Sequence, residues 1–204
     1  MHSNQLTEYN KLFPSSFSLE TPRVTLRLMR DDDLKYYMEA DTTTDTWKYF
    51  TKELNDEESM RIWMGEALNE RMEGKRMPFT VIDKDTKKIC GSTSYGNISF
   101  FDKRLEIGWT WLGKEAIGTG VNRHAKFALL SYAFEVLKME RVEIKTDNLN
   151  ERAKAALLKV GMIPEGILRS HMQMHSNRRR DSIYFSILRS EWEERKVHFF
   201  SDML

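Results

Sequence analysis

The spacing of hydrophobic residues changes several times along this chain, and each change marks an element. Val24, Leu26 and Leu28 alternate with Thr25 and Arg27, the period-two pattern of a half-buried strand. Asp31, Asp32 and Asp33 follow as acceptors suited to cap a helix carrying Leu34, Tyr37 and Met38. A second helix is expected from Asn55, with Glu58 three residues on as in a capping box. Its apolar face is Met60, Trp63, Met64 and Ala67, and Gly74 is its stop. Strands are expected at 79–83, 88–100 and 104–112. In the third, alternation puts Leu105, Ile107, Trp109 and Trp111 on one face and Glu106, Gly108 and Thr110 on the other. Residues 113–120 lead into a long helix reaching about Leu137, whose stripe of Val121, Ala125, Ala128, Leu129, Tyr132 and Val136 is broad enough to be deeply buried. A strand at 141–146, a helix capped by Asn150 and ending at Gly161, and a strand pair at 163–173 and 182–188 complete the chain. A strand, a helix and a strand over 104–147 imply a parallel or splayed pair joined by a crossover helix. The other neighbours read as antiparallel, so the class is α/β or α+β around one mixed sheet.

Composition narrows the setting. The 204 residues carry 32 Lys plus Arg against 31 Asp plus Glu, a net charge of +1, which argues against bulk nucleic-acid binding. With 11 Phe, 7 Tyr and 5 Trp the chain has the apolar supply for a packed core and is not intrinsically disordered. The seam at Phe13-Pro14-Ser15-Ser16 divides an N-terminal extension, 1–13, from a single domain, 14–204. No apolar run approaches the length of a membrane span, and the polar start has no signal-peptide core, so a soluble, cytoplasmic protein without membrane contact is expected. Cys90 is the single cysteine, which excludes an internal disulfide and a Cys-based zinc site. His171 and His175 have no ligand neighbours at metal spacing, and no metal is expected. The tail His198-Phe199-Phe200 is apolar enough to pack on the body or on a partner, leaving monomer and homodimer both open.

The segment with chemical content is Trp111-Leu112-Gly113-Lys114-Glu115-Ala116-Ile117-Gly118-Thr119-Gly120-Val121-Asn122. A strand ends, two glycines occur in a tight loop, and a helix begins. Glycine lets backbone approach a ligand closely, and the first N–H groups of a helix form an anion site. A diphosphate is the guest this suggests. The loop is not a Walker A loop, since the Gly-Lys-Ser/Thr ending is missing. It is not a dinucleotide fingerprint either, because Arg123 stands where a third glycine belongs.

The wider order is more specific. Glu106-Ile107-Gly108-Trp109 precedes the loop, and Asp147-Asn148-Leu149-Asn150 follows the next strand. Then come Lys159-Val160-Gly161-Met162, Pro164-Glu165-Gly166-Ile167-Leu168-Arg169 and Asp181-Ser182-Ile183-Tyr184-Phe185-Ser186. This series resembles the GNAT superfamily of acyl-CoA-dependent N-acetyltransferases, and within it the RimJ/RimL branch that acetylates ribosomal-protein N-termini. The resemblance runs from about Leu19 to Trp192. It implies a mixed sheet whose central strands, 104–112 and 141–146, splay apart, flanked by helices, with acetyl-CoA in the cleft. The diphosphate would lie on Gly118, Thr119, Gly120, Val121, Asn122 and Arg123, next to Ile117, Gly113 and Lys114. The pantetheine arm would run along Trp109, Trp111 and Leu112, and Asn150 would contact it. The chain departs from the family at three places. Ile117 stands in place of the usual Arg or Gln, Ala153 in place of a serine, and Leu157 in place of the tyrosine that serves many relatives as general acid. A thiolate of pKa near 8.5 is still a fair leaving group at neutral pH.

Direct attack by an amine on the thioester needs a neutral amine, a base and an oxyanion donor. By resemblance the donor is the Trp111 backbone N–H and the base Glu106; the structural alternative for Glu106 is a strand-face glutamate held by Arg104 or Lys145. Ser94 and Asn97 on the neighbouring strand, and Trp47, Tyr49 and Phe50 before the second helix, are the candidates for the acceptor pocket. Strand alternation and a satellite apolar cluster account for the same residues. Arg178, Arg179 and Arg180 read as a solvated hairpin turn. The activity implied is acetyl transfer to a primary amine, either a protein N-terminal α-amine or a small-molecule amine. The rivals are a non-catalytic acyl-CoA-binding or sensing module on the same fold and a nucleotide-binding domain.

Overall fold

The structure, a computed structural model, describes residues 2–40, 42 and 44–204; Met1, Asp41 and Thr43 lie outside the described residues. Eight strands form one sheet in the order β1-β2-β3-β4-β5-β6-β8-β7. They are β1 (Ser18–Glu20), β2 (Val24–Leu28), β3 (Arg76–Asp83), β4 (Lys88–Ser99), β5 (Arg104–Leu112), β6 (Arg141–Asp147), β7 (Ile163–Gln173) and β8 (Arg179–Leu188). Every neighbouring pair is antiparallel except β5 and β6, which are parallel. The mixed sheet and the crossover over 104–147 are as the residue pattern implied.

The helices are α1 (His2–Leu12), α2 (Leu34–Glu39), α3 (Thr44–Trp47), α4 (Glu57–Met72), α5 (Val121–Ser131), α6 (Glu151–Leu158) and α7 (Arg189–Phe200). α4 begins one cap later than its sequence suggested. Asp56, not Asn55, accepts from the Ser59 N–H at 2.8 Å, and Ser59 rather than Glu58 closes the box. A shorter carboxylate at the cap and a hydroxyl at the third helical position do the same work. Gly74, with φ +69°, turns the chain out of α4. α5 runs on as a wider π turn over Tyr132–Val136.

Two apolar clusters lie on opposite faces of the sheet. The larger joins Val24, Leu26, Phe79, Tyr95, Leu105, Ile107, Val142 and Ile144 to Leu129 of α5, Leu157 of α6 and Trp192 of α7. Tyr9 and Phe13 belong to it too, and the Tyr9 hydroxyl donates to the Arg76 carbonyl at 2.5 Å. The smaller cluster joins α2, α3 and α4 through Tyr37, Trp47, Met60, Trp63, Met64 and Ala67 to Met29 and Trp111. It contains no residue of β6, β7 or β8; on those strands the same face is polar, with Asp147, Arg180, Ser182 and Ser186 buried.

Candidate active site

β5 and β6 are hydrogen-bonded only at their starts. Arg104 faces Arg141, Leu105 faces Val142 and Glu106 faces Glu143; beyond that point the strands part. β5 continues on β4 alone and β6 on β8 alone. The wedge between them opens at Glu106.

A β-bulge in β5 sits at the wedge. Ser94 pairs with Gly108 and Ser92 with Trp111, so Trp109 and Thr110 together oppose Thr93, and Trp109 takes φ +50°. Simple alternation therefore fails here. Leu105 and Ile107 face the larger cluster, whereas Trp109 and Trp111 are moved to the opposite face, into the smaller one. The ring of Trp109 covers Gly96, where an added Cβ would come within 2.3 Å of it, and the Arg76 guanidinium lies 4.6 Å from the ring centroid. Trp111 is 3% exposed and packs on Tyr37, Trp47 and Trp63. The rings of both tryptophans are structural.

On the helix side, Gly113 donates its N–H to the Cys90 carbonyl at 2.8 Å, and a short 3-10 turn, Lys114–Ala116, leads to the glycines. Gly118 and Gly120 have φ +81° and +91°, a region open to glycine and costly for others. Nothing lies within 4 Å of a Cβ built on Gly118, and only a His124 carbon, at 4.0 Å, approaches one on Gly120. The Thr119 hydroxyl donates to the Ala116 carbonyl at 2.8 Å, Ile117 is partly exposed, and Val121 is buried. No side chain caps α5, and its dipole favours an anion there. The Asn122 Oδ1 is buried without a partner. The Arg123 guanidinium is drawn away, donating to Asp202 at 2.6 and 2.7 Å and to the Phe199 carbonyl. An open glycine cradle at an uncapped helix start fits a diphosphate bound by main chain. Across the wedge, Asn150 Oδ1 accepts from the Ala153 N–H at 3.0 Å, so Asn150 caps α6 and has its amide nitrogen left as a donor for a ligand.

Lys126, on the same side, is a buried lysine. Its Nζ donates to the Thr110 hydroxyl at 3.0 Å, and burial brings its ammonium down to about 7. The lone Cys90 is half-buried, with its thiol pushed up to about 12 by burial, so it is not poised as a nucleophile.

The opposite face carries the ions. Glu106 is 4% exposed and held by Lys145 Nζ at 2.5 Å from each oxygen, while Asn97 Nδ2 donates to Oε2 at 2.8 Å. Asn97 itself stands at φ +49° beside an irregularity in the β4 register. Of the four lone-pair sites of the carboxylate these bonds use three, and the open one is on Oε1. Gly108 stands beside that atom, where an added Cβ would lie 3.0 Å away. Lys145 faces Tyr184 across the β6–β8 ladder, and His171 packs on the Tyr184 ring. Desolvation, then the positive charges of Lys145 and Arg180, lower the His171 imidazole below its usual value. The other pocket candidates lie deeper. Ser94 is fully buried and accepts from Arg76 Nε at 2.9 Å, Trp47 is fully buried, and Phe50 packs against Trp47 and Trp63. Tyr49 reaches the site only through its carbonyl, which accepts from Arg180 at 3.4 Å.

Sequence reasoning passed over the β6–β8 face. Arg178 and Arg180 were expected in a solvated turn, yet Arg178 pairs with fully buried Asp147, and Arg180, in β8, is 6% exposed. The available signal was the period-two run Arg180, Ser182, Tyr184, Ser186, whose polar members share one face. Among the described residues no group of three or more His, Cys, Asp or Glu is placed to hold a metal.

A mixed sheet split between two central parallel strands, with a glycine cradle at one side of the split and a polar face at the other, defines an acyltransferase site. The family described as "Acetyltransferase (GNAT) domain" matches residues 23–163, and the chain belongs to this family. It is 34% identical over 108 residues, 53% of this chain and 58% of the relative, to the Bacillus subtilis (strain 168) protein named "Putative ribosomal N-acetyltransferase YdaF". It is 28% identical over 176 residues, 86% of this chain and 98% of the relative, to "Uncharacterized N-acetyltransferase p20" of Bacillus licheniformis. Among solved structures, a GCN5-related N-acetyltransferase from Brucella melitensis superposes with a TM-score of 0.83 at 25% identity, covering 94% of this chain and 87% of that one. The protein is an acetyltransferase of this family, for which acetyl-CoA is the co-substrate and an amine the acceptor.

Proposed function

We propose that this acetyltransferase works on a weakly basic primary amine, a protein N-terminal α-amine or a small molecule of that kind, with Glu106 taking the amine's proton. The observation that carries the reading is the buried Glu106 at the mouth of the wedge, with one lone-pair site of Oε1 kept approachable by Gly108. The name of the YdaF relative points the same way. An α-amine of pKa near 7.7–8 is partly neutral at pH 7, whereas a lysine near 10.4 is almost wholly charged.

The acetyl-CoA diphosphate is assigned to the backbone of residues 117–123, the pantetheine arm to the β5 edge at Trp109, Trp111 and Leu112, and the arm's polar contact to Asn150. The Trp111 N–H is assigned to the developing oxyanion. The amine nitrogen forms its bond to the carbonyl carbon as the carbon–sulfur bond breaks; the electron pair leaves with sulfur, and the amine proton goes to Glu106, directly or through water. With Leu157 buried in the larger cluster, the leaving thiolate takes its proton from solvent.

The test is release of free thiol from acetyl-CoA with N-terminal peptides, polyamines and aminoglycosides as acceptors. Glu106→Gln lowers kcat/KM by about 100-fold, the scale of a lost general base, at every pH where the amine is neutral. A Glu106→Gln rate within a few-fold of the wild type rejects Glu106. Tight acetyl-CoA binding with no acetylated amine favours the sensing module instead.

A further inference from the structure

Arg180 is a buried cation with no ion-pair partner among the described residues. Asp147 is taken by Arg178 and Glu106 by Lys145, and no carboxylate among the described residues comes within the 4.0 Å of an ion pair to Arg180. Its hydrogen bonds are to neutral atoms, from Nε to the Ser182 hydroxyl at 3.0 Å and from the guanidinium to the Tyr49 carbonyl at 3.4 Å. Desolvation lowers its proton affinity, partly opposed by Asp147 and Glu106. An arginine does not escape such burial by losing a proton. A buried charge without a counter-ion is costly and calls for an anion from outside. The place is specific: Arg180 shares the face of β8 with Ser182 and Tyr184, beside the Glu106–Lys145 pair, and its bond to Tyr49 ties β8 to the segment preceding α4.

We infer that Arg180 binds a carboxylate of the acceptor, so that the preferred substrates are primary amines bearing a nearby carboxylate, either free α-amino acids or peptides with an acidic residue next to the reacting N-terminus. The inference rests on the acceptor lying on this face, as in the proposed function. A planar guanidinium suits a carboxylate in two-point contact, and it would fix the amine's distance from Glu106.

The test compares acceptors that carry or lack that charge, with each rate referred to the neutral fraction of its amine: serine with serinamide, and the peptide amide Ser-Glu-Ala with Ser-Gln-Ala. The first pair reads the free amino acid, the second the peptide. In the wild type at least one carboxylate member is preferred by about 10- to 100-fold in kcat/KM, the range of a charge-assisted hydrogen bond. Arg180→Met collapses that ratio toward one, mainly through KM of the carboxylate member, and Arg180→Lys keeps part of it. Each variant is first checked for a wild-type melting profile and acetyl-CoA affinity, and Arg180→Lys carries the test if Arg180→Met does not fold. Equal wild-type rates on both members of both pairs, or a variant that lowers both members alike, overturns the inference while leaving acetyl transfer intact. If no amine is acetylated, the transfer reading fails, and the site is then read by melting shifts with glycine against glycinamide. A shift with glycine alone that Arg180→Met abolishes supports an anion site, and its absence overturns it.

Discussion

Two buried cations flank the wedge, and they meet their surroundings differently. Lys126 lies on the α5 side with only the Thr110 hydroxyl as hydrogen-bond partner, and burial moves its ammonium to about 7. Arg180 lies on the polar face, with no ion-pair partner among the described residues, and keeps its charge. The α5 side offers main chain: glycines, an uncapped helix and a lysine that can become neutral. The β6–β8 face is built of paired ions with one charge in excess. In the proposed function the α5 side receives the same diphosphate in every cycle, and such a site can rely on backbone dipoles. A site that selects an acceptor needs side chains, and side-chain charges must be balanced either by each other or by the substrate.

The largest effect that would sharpen this contrast is at Lys126. Its folded value of about 7 lies below the ordinary 10.5, so between those values the unfolded chain holds the extra proton and stability rises with pH. The penalty is complete below pH 7 and gone above 10.5. Lys126→Met removes it, giving a gain of roughly 3 kcal/mol in urea unfolding at pH 6 and no slope between pH 7 and 10.5. A variant no more stable than the wild type at pH 6 would break the contrast. On the opposite face the sign reverses. Glu106→Ala leaves Lys145, 16% exposed, without its counter-charge and costs about 2–3 kcal/mol by the same measurement.

Gly120→Ala comes next. An alanine held at φ +91° is strained by about 1–2 kcal/mol and puts a methyl group in the open space of the cradle proposed for the phosphates. Calorimetry should show acetyl-CoA affinity falling about tenfold while acceptor KM stays put; an unchanged affinity would mean the phosphates do not use this loop. The smallest effect is at the exposed base of the polar face. Arg141, and to a lesser degree Ser186, hold the Glu165 carboxyl down to about 2. The stability it supplies is present above its ordinary value near 4.5 and is lost as pH falls toward 2. Because the group is exposed, Glu165→Gln changes stability at pH 7 by less than about 1 kcal/mol and flattens the acid limb of a melting curve series.

Much of the fold was readable along the chain because its causes are local. β2 and β5 begin and end where alternation placed them, Asn150 caps α6, and the apolar face of α4 is the one its spacing gives. α1 and α7 escaped notice because their polar composition hides the few residues that anchor them, Tyr9 in one and Trp192 and Phe200 in the other. Within the site, the glycine loop was legible because positive φ and a helix start are properties of a short segment. The faces of Trp109 and Trp111 were not, since the bulge is defined by pairing with Thr93 on another strand. The environment of Arg180 was hidden for the same reason: a run of three arginines reads as solvated until β6 and the Tyr49 segment close over it.

The order of residues by itself determined the family, the sheet with its crossover helix, and the glycine turn at an uncapped helix start, because each of these depends on neighbours within a few tens of residues. Only the tertiary structure decided which charges meet. Glu106 with Lys145, 39 residues apart, Arg178 with Asp147, 31 apart, and Arg180 with no ion pair among the described residues are outcomes of strand register and of where the sheet splits. Burial then turns that register into chemistry, since charges removed from water are governed by the partner within a few ångströms and not by the composition of the chain.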